Sequence, residues 1–284
     1  MILHTAVVTN TSHARGPSVA RGILIVLPIA VVVACVVAPP ARWPALAVLV
    51  AGFGLLRMRR VRAMWLWAAL IPLAVRLAWA GAAVPLVPGL ADCGNALSAP
   101  VVTRVTEAAL VMGVLAVLAI VLRADAASLA LRWPSRQIVV LAVAGPIVVT
   151  PIALVVGPLL TGPFFGPIRI EMGIAVAIVP ALLLATANAA MEELTFRGAI
   201  GGWGARVVGS TGALVLQAAL FGVVHAGPDF LDPLVALPVL AAVTAGGLIA
   251  GVIVQRTGSL LLPVAIHLAL DVPLYYAFAC RLPG

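Results

Sequence analysis

Charged residues are scarce in this chain. Of its 284 residues, only 9% are Asp, Glu, Lys or Arg, whereas soluble domains carry about 25%. Hydrophobic residues make up 64%, and the mean hydropathy is +1.22. A soluble fold of this length could not bury so much apolar surface, because much of a folded monomer stays in contact with water. The composition excludes an ordinary soluble enzyme and a disordered chain, and it favours an integral membrane protein.

Lysine is absent, and cysteine is rare. All 17 basic residues are arginines, and the net charge is +8. Because most arginines flank apolar runs and no basic patch contains interleaved aromatics, we expect them to contact lipid head groups and we expect no nucleic-acid partner. Cys35, Cys93 and Cys280 form no CxxC pair. The sequence therefore predicts neither a disulfide scaffold nor a cysteine zinc site.

Apolar runs comparable to the width of a bilayer fill the chain. A transmembrane helix needs about 20 residues at ~1.5 Å per residue. The sequence therefore predicts an all-α, polytopic integral membrane helix bundle with eight or nine transmembrane helices. We divide it into a cytoplasmic tail at 1–21, N-terminal transmembrane helices at 22–165 and a membrane core at 170–280. The runs lie at about 22–38, 44–56, 63–91, 108–122, 137–160, 172–191, 211–226, 234–255 and 260–280.

The distribution of arginine predicts the orientation of these spans. If nine spans alternate from a cytoplasmic N-terminus, most arginines fall on the cytoplasmic side, as the positive-inside rule requires. Arg76 then lies within a span. The predicted cytoplasmic arginines are Arg15, Arg21, Arg57, Arg59, Arg60, Arg62, Arg123, Arg132, Arg136, Arg197, Arg206 and Arg256. The predicted external ones are Arg42, Arg104, Arg169 and Arg281.

Ionisable residues inside the spans are candidates for function, because each costs at least about 2.5–3.5 kcal/mol to insert. In the first half, Arg76, Arg104 and Glu107 are interpreted as residues at span boundaries. In the second half, two adjacent carboxylates, Glu192 and Glu193, close an apolar run.

On a helix, Glu193 and Arg197 are four residues apart and can pair, whereas Glu192 points about 100° away without an obvious cation. A partly buried carboxylate of this kind is a candidate general base. A surface ion pair at a helix end is the alternative.

Two histidine motifs follow, Phe221-Gly-Val-Val-His225 and His267-Leu-Ala-Leu-Asp271. Asp271 shares a helical face with His267, so we expect it to orient the ring. Peptide hydrolysis needs an activated water, an acid for the leaving amine and donors for the oxyanion, which Glu192, His225 and His267 can supply. The same three side chains could instead ligate zinc with an open position.

Together these three motifs, in this order on apolar helices, resemble those of the CPBP intramembrane proteases. That family includes the CAAX prenyl endopeptidases and the bacteriocin-processing and self-immunity (Abi) proteins of bacteria. The resemblance covers about 190–272, with neighbouring helices about 170–280. It implies cleavage of a membrane-associated or lipidated, CAAX-like peptide within the lipid bilayer, in this case in a bacterial plasma membrane.

The resemblance also implies a role for each motif residue. Glu192 would activate water together with His225, and Glu193 with Arg197 would form a supporting pair. The remaining two, His267 and Asp271, would stabilise the oxyanion. An ionised Asp271 cannot donate a hydrogen bond, so it would instead orient His267.

Other function classes remain open at this point. Intramembrane Glu and His also serve proton- or ion-coupled transporters, which would carry polar residues in two related halves. A non-catalytic immunity or scaffold protein could use the same residues to hold its helices together. The HExxH, GxGD and GxSG motifs of other intramembrane proteases are absent.

One mismatch follows from the predicted spans. His225 would lie about 21 Å and His267 about 10 Å from the cytoplasmic starts of their helices, whereas Glu192 would lie near the end of its own. If the three side chains meet, the helix boundaries must differ from those predicted.

Overall fold

The computed structural model describes residues 19–82, 99–165, 174–226 and 233–278, and these residues form helices without a strand. Six stretches are long and apolar enough to cross a membrane, and two shorter apolar helices accompany them. The predicted all-α, polytopic bundle is confirmed. The α-helices in the described ranges are α1 (Val19–Val37), α2 (Arg42–Met58), α3 (Met64–Ala82), α4 (Ala99–Leu122), α5 (Arg136–Phe165), α6 (Ile174–Glu193), α7 (Gly204–Ala226), α8 (Pro233–Thr257) and α9 (Leu261–Phe278).

Two sequence predictions concern segments that these ranges only partly cover. The tail at 1–21 lies almost entirely outside the described residues, as does the end of the run at 63–91. The division of the chain near residue 165 stays a prediction.

Helix α3 lies at the centre of the first half of the chain. It packs against α1, α2 and α4. Leu66, Leu70 and Leu73 are fully buried along it, and the Trp67 indole donates to the Leu24 carbonyl of α1 at 2.9 Å. Because α3 is buried on several sides, it cannot rotate about its axis. One fixed face of α3 therefore packs against the π-helical segment (Leu194–Trp203) and α7.

The helix that carries the adjacent carboxylates does not end at Glu193. It continues as a π-helical segment, Leu194–Trp203, and α7 begins at Gly204 rather than near 211. The backbone leaves helical geometry at Gly209, whose φ of 79° lies in the region that favours glycine.

This shift of boundaries removes the mismatch in depth. Glu192 precedes Gly209 by 17 residues, and His225 follows it by 16. Nearly equal numbers of residues therefore separate Glu192 and His225 from the same bend. The two side chains can therefore meet at one level of the bundle.

Segments predicted to face the cytoplasm meet at one end of the molecule. The Trp203 indole donates to Ser128 Oγ at 3.1 Å. An isolated antiparallel bridge joins Leu131 to Ser259, in the turn between α8 and α9. This common end is what alternating spans predict.

The helices of the second half pack in two groups. Helix α7 packs along α8, while α9 packs against both α5 and α6. Within the described ranges, α7 makes little backbone contact with α6 or α9. The motif side chains lie where these groups face each other.

Candidate active site

Glu192, on α6, is the side chain at which the three motifs converge. Its carboxylate is 1% exposed. Atom Oε2 lies 3.6 Å from Nε2 of His225 on α7 and 3.6 Å from Nε2 of His267 on α9. Both separations exceed hydrogen-bond length. Oε2 also has no hydrogen-bond partner among the described residues, so it is a buried acceptor with nothing donating to it there.

The hydrogen bond at the far side of His225 determines its tautomer. Nδ1 lies 2.8 Å from the Phe221 carbonyl oxygen, four residues earlier on α7. A carbonyl only accepts, so Nδ1 carries the proton and donates. In the neutral ring, Nε2 is then a lone-pair acceptor that faces Glu192. The imidazole is 30% exposed, which makes it the more open of the two motif histidines.

His267 is held by Glu193 rather than by Asp271. Its Nδ1 lies 2.9 Å from Glu193 Oε1, and that same oxygen lies 3.1 Å from Arg197 Nη1. The predicted pairing of Glu193 with Arg197 is therefore confirmed. The predicted orienting role of Asp271 stays a prediction: its Oδ2 lies 3.6 Å from Nε2, close to the ring but beyond hydrogen-bond length, so the hydrogen bond to His267 comes from Glu193.

Asp271 instead accepts a hydrogen bond from a side chain that the sequence did not single out. Asn188 Nδ2, one helical turn before Glu192 on α6, donates to Asp271 Oδ2 at 2.9 Å. Both residues are buried. This contact fixes the carboxylate of Asp271 beside His267 and joins α6 to α9.

Phe221 supplies the apolar centre of the site. Its ring packs edge-on against Phe196, at 4.9 Å between centroids, and lies 4.4 Å from the ring of His225. The Arg197 guanidinium carbon lies 4.2 Å above the same ring, a cation–π contact. The first residue of the Phe-x-x-x-His motif therefore links the π-helical segment to the histidines.

The interpretation as boundary residues is wrong for Arg76 and Glu107, which form buried ion pairs, and Glu192 does have a cation. Arg76 Nη2, on α3, lies 2.5 Å from Glu192 Oε1. Arg76 Nε also lies 3.4 Å from Glu107 Oε1 on α4, and Arg104 Nη1 lies 2.6 Å from Glu107 Oε2. Arg197, predicted to face the cytoplasm, is likewise buried in the site. The polar cluster thus extends into helices outside the three motifs.

The side chains of the described site are not arranged as a metal-binding group. Among the residues that the structure describes, no group of three His, Cys, Asp or Glu is arranged to hold a metal ion. Zinc bonds to nitrogen and oxygen are ~2.0–2.2 Å long. Zinc on Glu192, His225 and His267 stays a prediction, which metal analysis of the purified protein tests.

Comparison with known proteins finds one family to which part of the second half of the chain is similar. Residues 174–273, just over a third of the chain, match the family model described as type II CAAX prenyl endopeptidase, Rce1-like. No curated protein and no solved structure matches the chain significantly. The matched segment contains all three motifs, so the resemblance to the CPBP proteases is confirmed for residues 174–273, which are similar to the Rce1-like endopeptidases.

Proposed function

We propose that the chain is an intramembrane endopeptidase that hydrolyses a peptide bond of a membrane-associated or lipidated, CAAX-like substrate. The family match supports a CAAX-type protease at family level. The observation that carries the proposal is the geometry at Glu192 Oε2, a buried acceptor faced by two imidazole nitrogens at 3.6 Å. Glu192 Oε2 and His225 Nε2 are both acceptors, and their separation of 3.6 Å fits a water that donates one hydrogen to each.

Glu192 acts as the general base in this mechanism. A water donates one hydrogen to Glu192 Oε2 and is oriented by the Nε2 lone pair of His225. The carboxylate takes the proton while the water oxygen attacks the scissile carbonyl carbon. When the carbon–nitrogen bond breaks, the same proton passes from Glu192 to the leaving amine.

His267 stabilises the charge that develops on the carbonyl oxygen. Its Nδ1 proton is committed to Glu193, so Nε2 donates to the oxyanion in the doubly protonated ring. Three carboxylates surround this imidazole, those of Glu192, Glu193 and Asp271. They compensate a positive ring in a site with little water. Asp271 therefore acts beside the oxyanion donor, without donating itself.

We propose that substrate enters between α7 and the pair α6–α9, through a cleft beside His225, the ring of which is 30% exposed. A lipid-anchored peptide diffuses in the plane of the bilayer. It therefore reaches such a cleft from the side without leaving the membrane.

The first test compares carboxylate and imidazole variants of the full chain in detergent. With a farnesylated fluorogenic peptide ending in a CAAX tetrapeptide, we expect Glu192→Gln and His225→Ala to lower kcat/KM at least ~100-fold, since general-base catalysis contributes about 10²–10⁴. Asp125→Asn, an exposed carboxylate in the loop after α4, is the matched control and keeps parental activity.

Equal cleavage by the parent, Glu192→Gln and His225→Ala contradicts the mechanism. A scaffold or immunity role predicts that Glu192→Gln keeps biological activity and loses only stability. Inhibition by a chelator that zinc reverses would assign the same three atoms to a metal. A transporter predicts proton-dependent uptake in proteoliposomes in place of cleavage.

A further inference from the structure

The buried cation beside the proposed general base comes from outside the matched family segment. Arg76 lies on α3, 98 residues before the first matched residue, Ile174. Its Nη2 is 2.5 Å from Glu192 Oε1. Its side chain is 13% exposed, so both partners of this ion pair are removed from water.

A second carboxylate holds Arg76 in place. Glu107 Oε1 lies 3.4 Å from Arg76 Nε, and the other oxygen of Glu107 is bonded to Arg104 at 2.6 Å. Charges alternate along this chain of contacts, Arg104–Glu107–Arg76–Glu192. Each of these charges would be costly to bury without a partner, and the pairing offsets that cost.

The contact with Arg76 also distinguishes the two oxygens of Glu192. Oε1 is occupied by the guanidinium, whereas Oε2 faces His225 and His267. A carboxylate held at one oxygen by a planar guanidinium cannot turn about its terminal bond without breaking that contact. The orientation that presents Oε2 to water is therefore set from α3.

We propose that Arg76, braced by Glu107 and Arg104, is a positioning residue that aims the catalytic carboxylate of Glu192. This inference rests on the proposed function. It predicts that the first half of the chain contributes to catalysis through geometry, because Arg76 acts through Glu192. A displacement of about 1 Å in a catalytic group costs on the order of 10²-fold in rate.

Kinetics of the full-length protein on the farnesylated CAAX peptide test this role. We expect Arg76→Gln to lower kcat about 100-fold while KM stays within about threefold. Arg76→Lys keeps the charge without the planar fork and returns kcat to within about tenfold of the parent. Glu107→Gln lowers kcat by about five- to tenfold. Arg206→Gln, which removes an arginine packed on Trp65 outside the site, is the control and changes kcat less than twofold.

Thermal unfolding separates positioning from simple loss of structure. Arg76→Gln leaves Glu192 buried without this cation and lowers Tm by about 10 °C. The double variant Arg76→Gln/Glu192→Gln removes both charges and recovers most of that Tm, but it stays inactive. Recovery of Tm would show that Arg76→Gln loses stability through the unpaired Glu192 carboxylate, so its loss of kcat is not a general loss of structure.

Each result decides a different claim. Additive Tm effects of Arg76→Gln and Glu192→Gln overturn the coupling of the two residues. An active parent in which Arg76→Gln changes kcat no more than Arg206→Gln overturns the positioning role and leaves the proposed function standing. A parent that does not cleave the peptide overturns the proposed function and, with it, the catalytic role of Arg76. The Tm cycle then still decides whether the ion pair exists.

Discussion

Glu192 and Glu193 are chemically identical neighbours with different environments. Successive residues on a helix point about 100° apart, so Glu192 faces α3 and α7 while Glu193 faces Arg197 and the ring of His267. Each carboxylate has one oxygen paired with an arginine, Glu192 with Arg76 and Glu193 with Arg197, but only the second oxygen of Glu192 faces the Nε2 atoms of both motif histidines. The position of each residue on the helix therefore makes Glu192 the proposed general base and Glu193 the residue that holds Arg197 and His267.

Asp271→Asn is expected to be tolerated. The Asn188 amide that donates to Asp271 has its own Oδ1 without a hydrogen-bond partner in the described residues. Turning that amide over would offer Oδ1 to the amide group that the substitution introduces, so the hydrogen bond between α6 and α9 is kept. We expect kcat within about fivefold of the parent and a Tm change of no more than about 3 °C, measured by peptide cleavage and thermal unfolding.

Asp271→Leu is the informative comparison for that variant. It leaves Asn188 Nδ2 buried without its acceptor, which costs about 1–3 kcal/mol. If the Asn variant loses as much activity as the Leu variant, then the negative charge beside His267 is essential and the tolerance argument is wrong.

Helical spacing predicted contacts within a helix and failed for contacts between helices. The pair Glu193–Arg197 follows from a separation of four residues. Arg76 and Glu192 are 116 residues apart, and no local pattern connects them. The one available signal was that Arg76 stands within an apolar run, where a charge is costly enough to need a partner. The identity of that partner depends on packing of α3 against the π-helical segment and α7, which the sequence alone does not reveal.

At the level of elements, the π-helical segment Leu194–Trp203 brings the motifs together. Helix positions, order and approximate lengths follow from the apolar runs, including the short run at 44–56, which forms α2. The π-helix was not predicted, because 3.6-residue periodicity carries no mark of a change to i→i+5 hydrogen bonds. The only unusual feature of this segment in the sequence is its three glycines, Gly198, Gly201 and Gly202.

Adjacent glycines in this segment give a matched pair of variants. A Cβ added at Gly202 would overlap the backbone carbonyl of Ser128, whereas one at Gly201 would meet only the Phe196 carbonyl at 3.4 Å. We expect Gly202→Ala to cost about 1–3 kcal/mol of unfolding free energy and to lower cleavage, because the backbone near Arg197 must shift. Gly201→Ala should stay within about 1 kcal/mol.

Unfolding and cleavage measured side by side check this pair. Equal stability of the two alanine variants would show that the approach of Gly202 to the 126–129 turn does not constrain the segment.

For the whole molecule, the structure brings together the loops that the arginine distribution assigned to one side. The Arg206 guanidinium carbon lies 4.0 Å above the Trp65 ring, and the Leu131–Ser259 bridge joins two further loops at that end. If each described helix crosses the membrane once, even numbers of crossings separate these loops, and one orientation accounts for all of them. Which side of the membrane this end faces is a prediction of the positive-inside rule.

Thiol labelling of intact cells tests that orientation. In a background with Cys35, Cys93 and Cys280 replaced, we expect Arg59→Cys, exposed after α2, to resist a membrane-impermeant maleimide until the cells are opened. Pro40→Cys, exposed between α1 and α2, should react in intact cells. The reverse pattern would invert the topology, and labelling of both sites from outside would contradict a crossing by α2.

The ion pair between α3 and α6 restricts how this protein can be recombined with relatives. A chimera that grafts helices α6 to α9 onto a foreign N-terminal region would enclose the Glu192 carboxylate without its guanidinium, unless the donor scaffold offers an arginine at an equivalent place. Any transplant therefore has to carry α3 along with the three motifs, so the minimal exchangeable module is larger than the stretch that sequence comparison recognises.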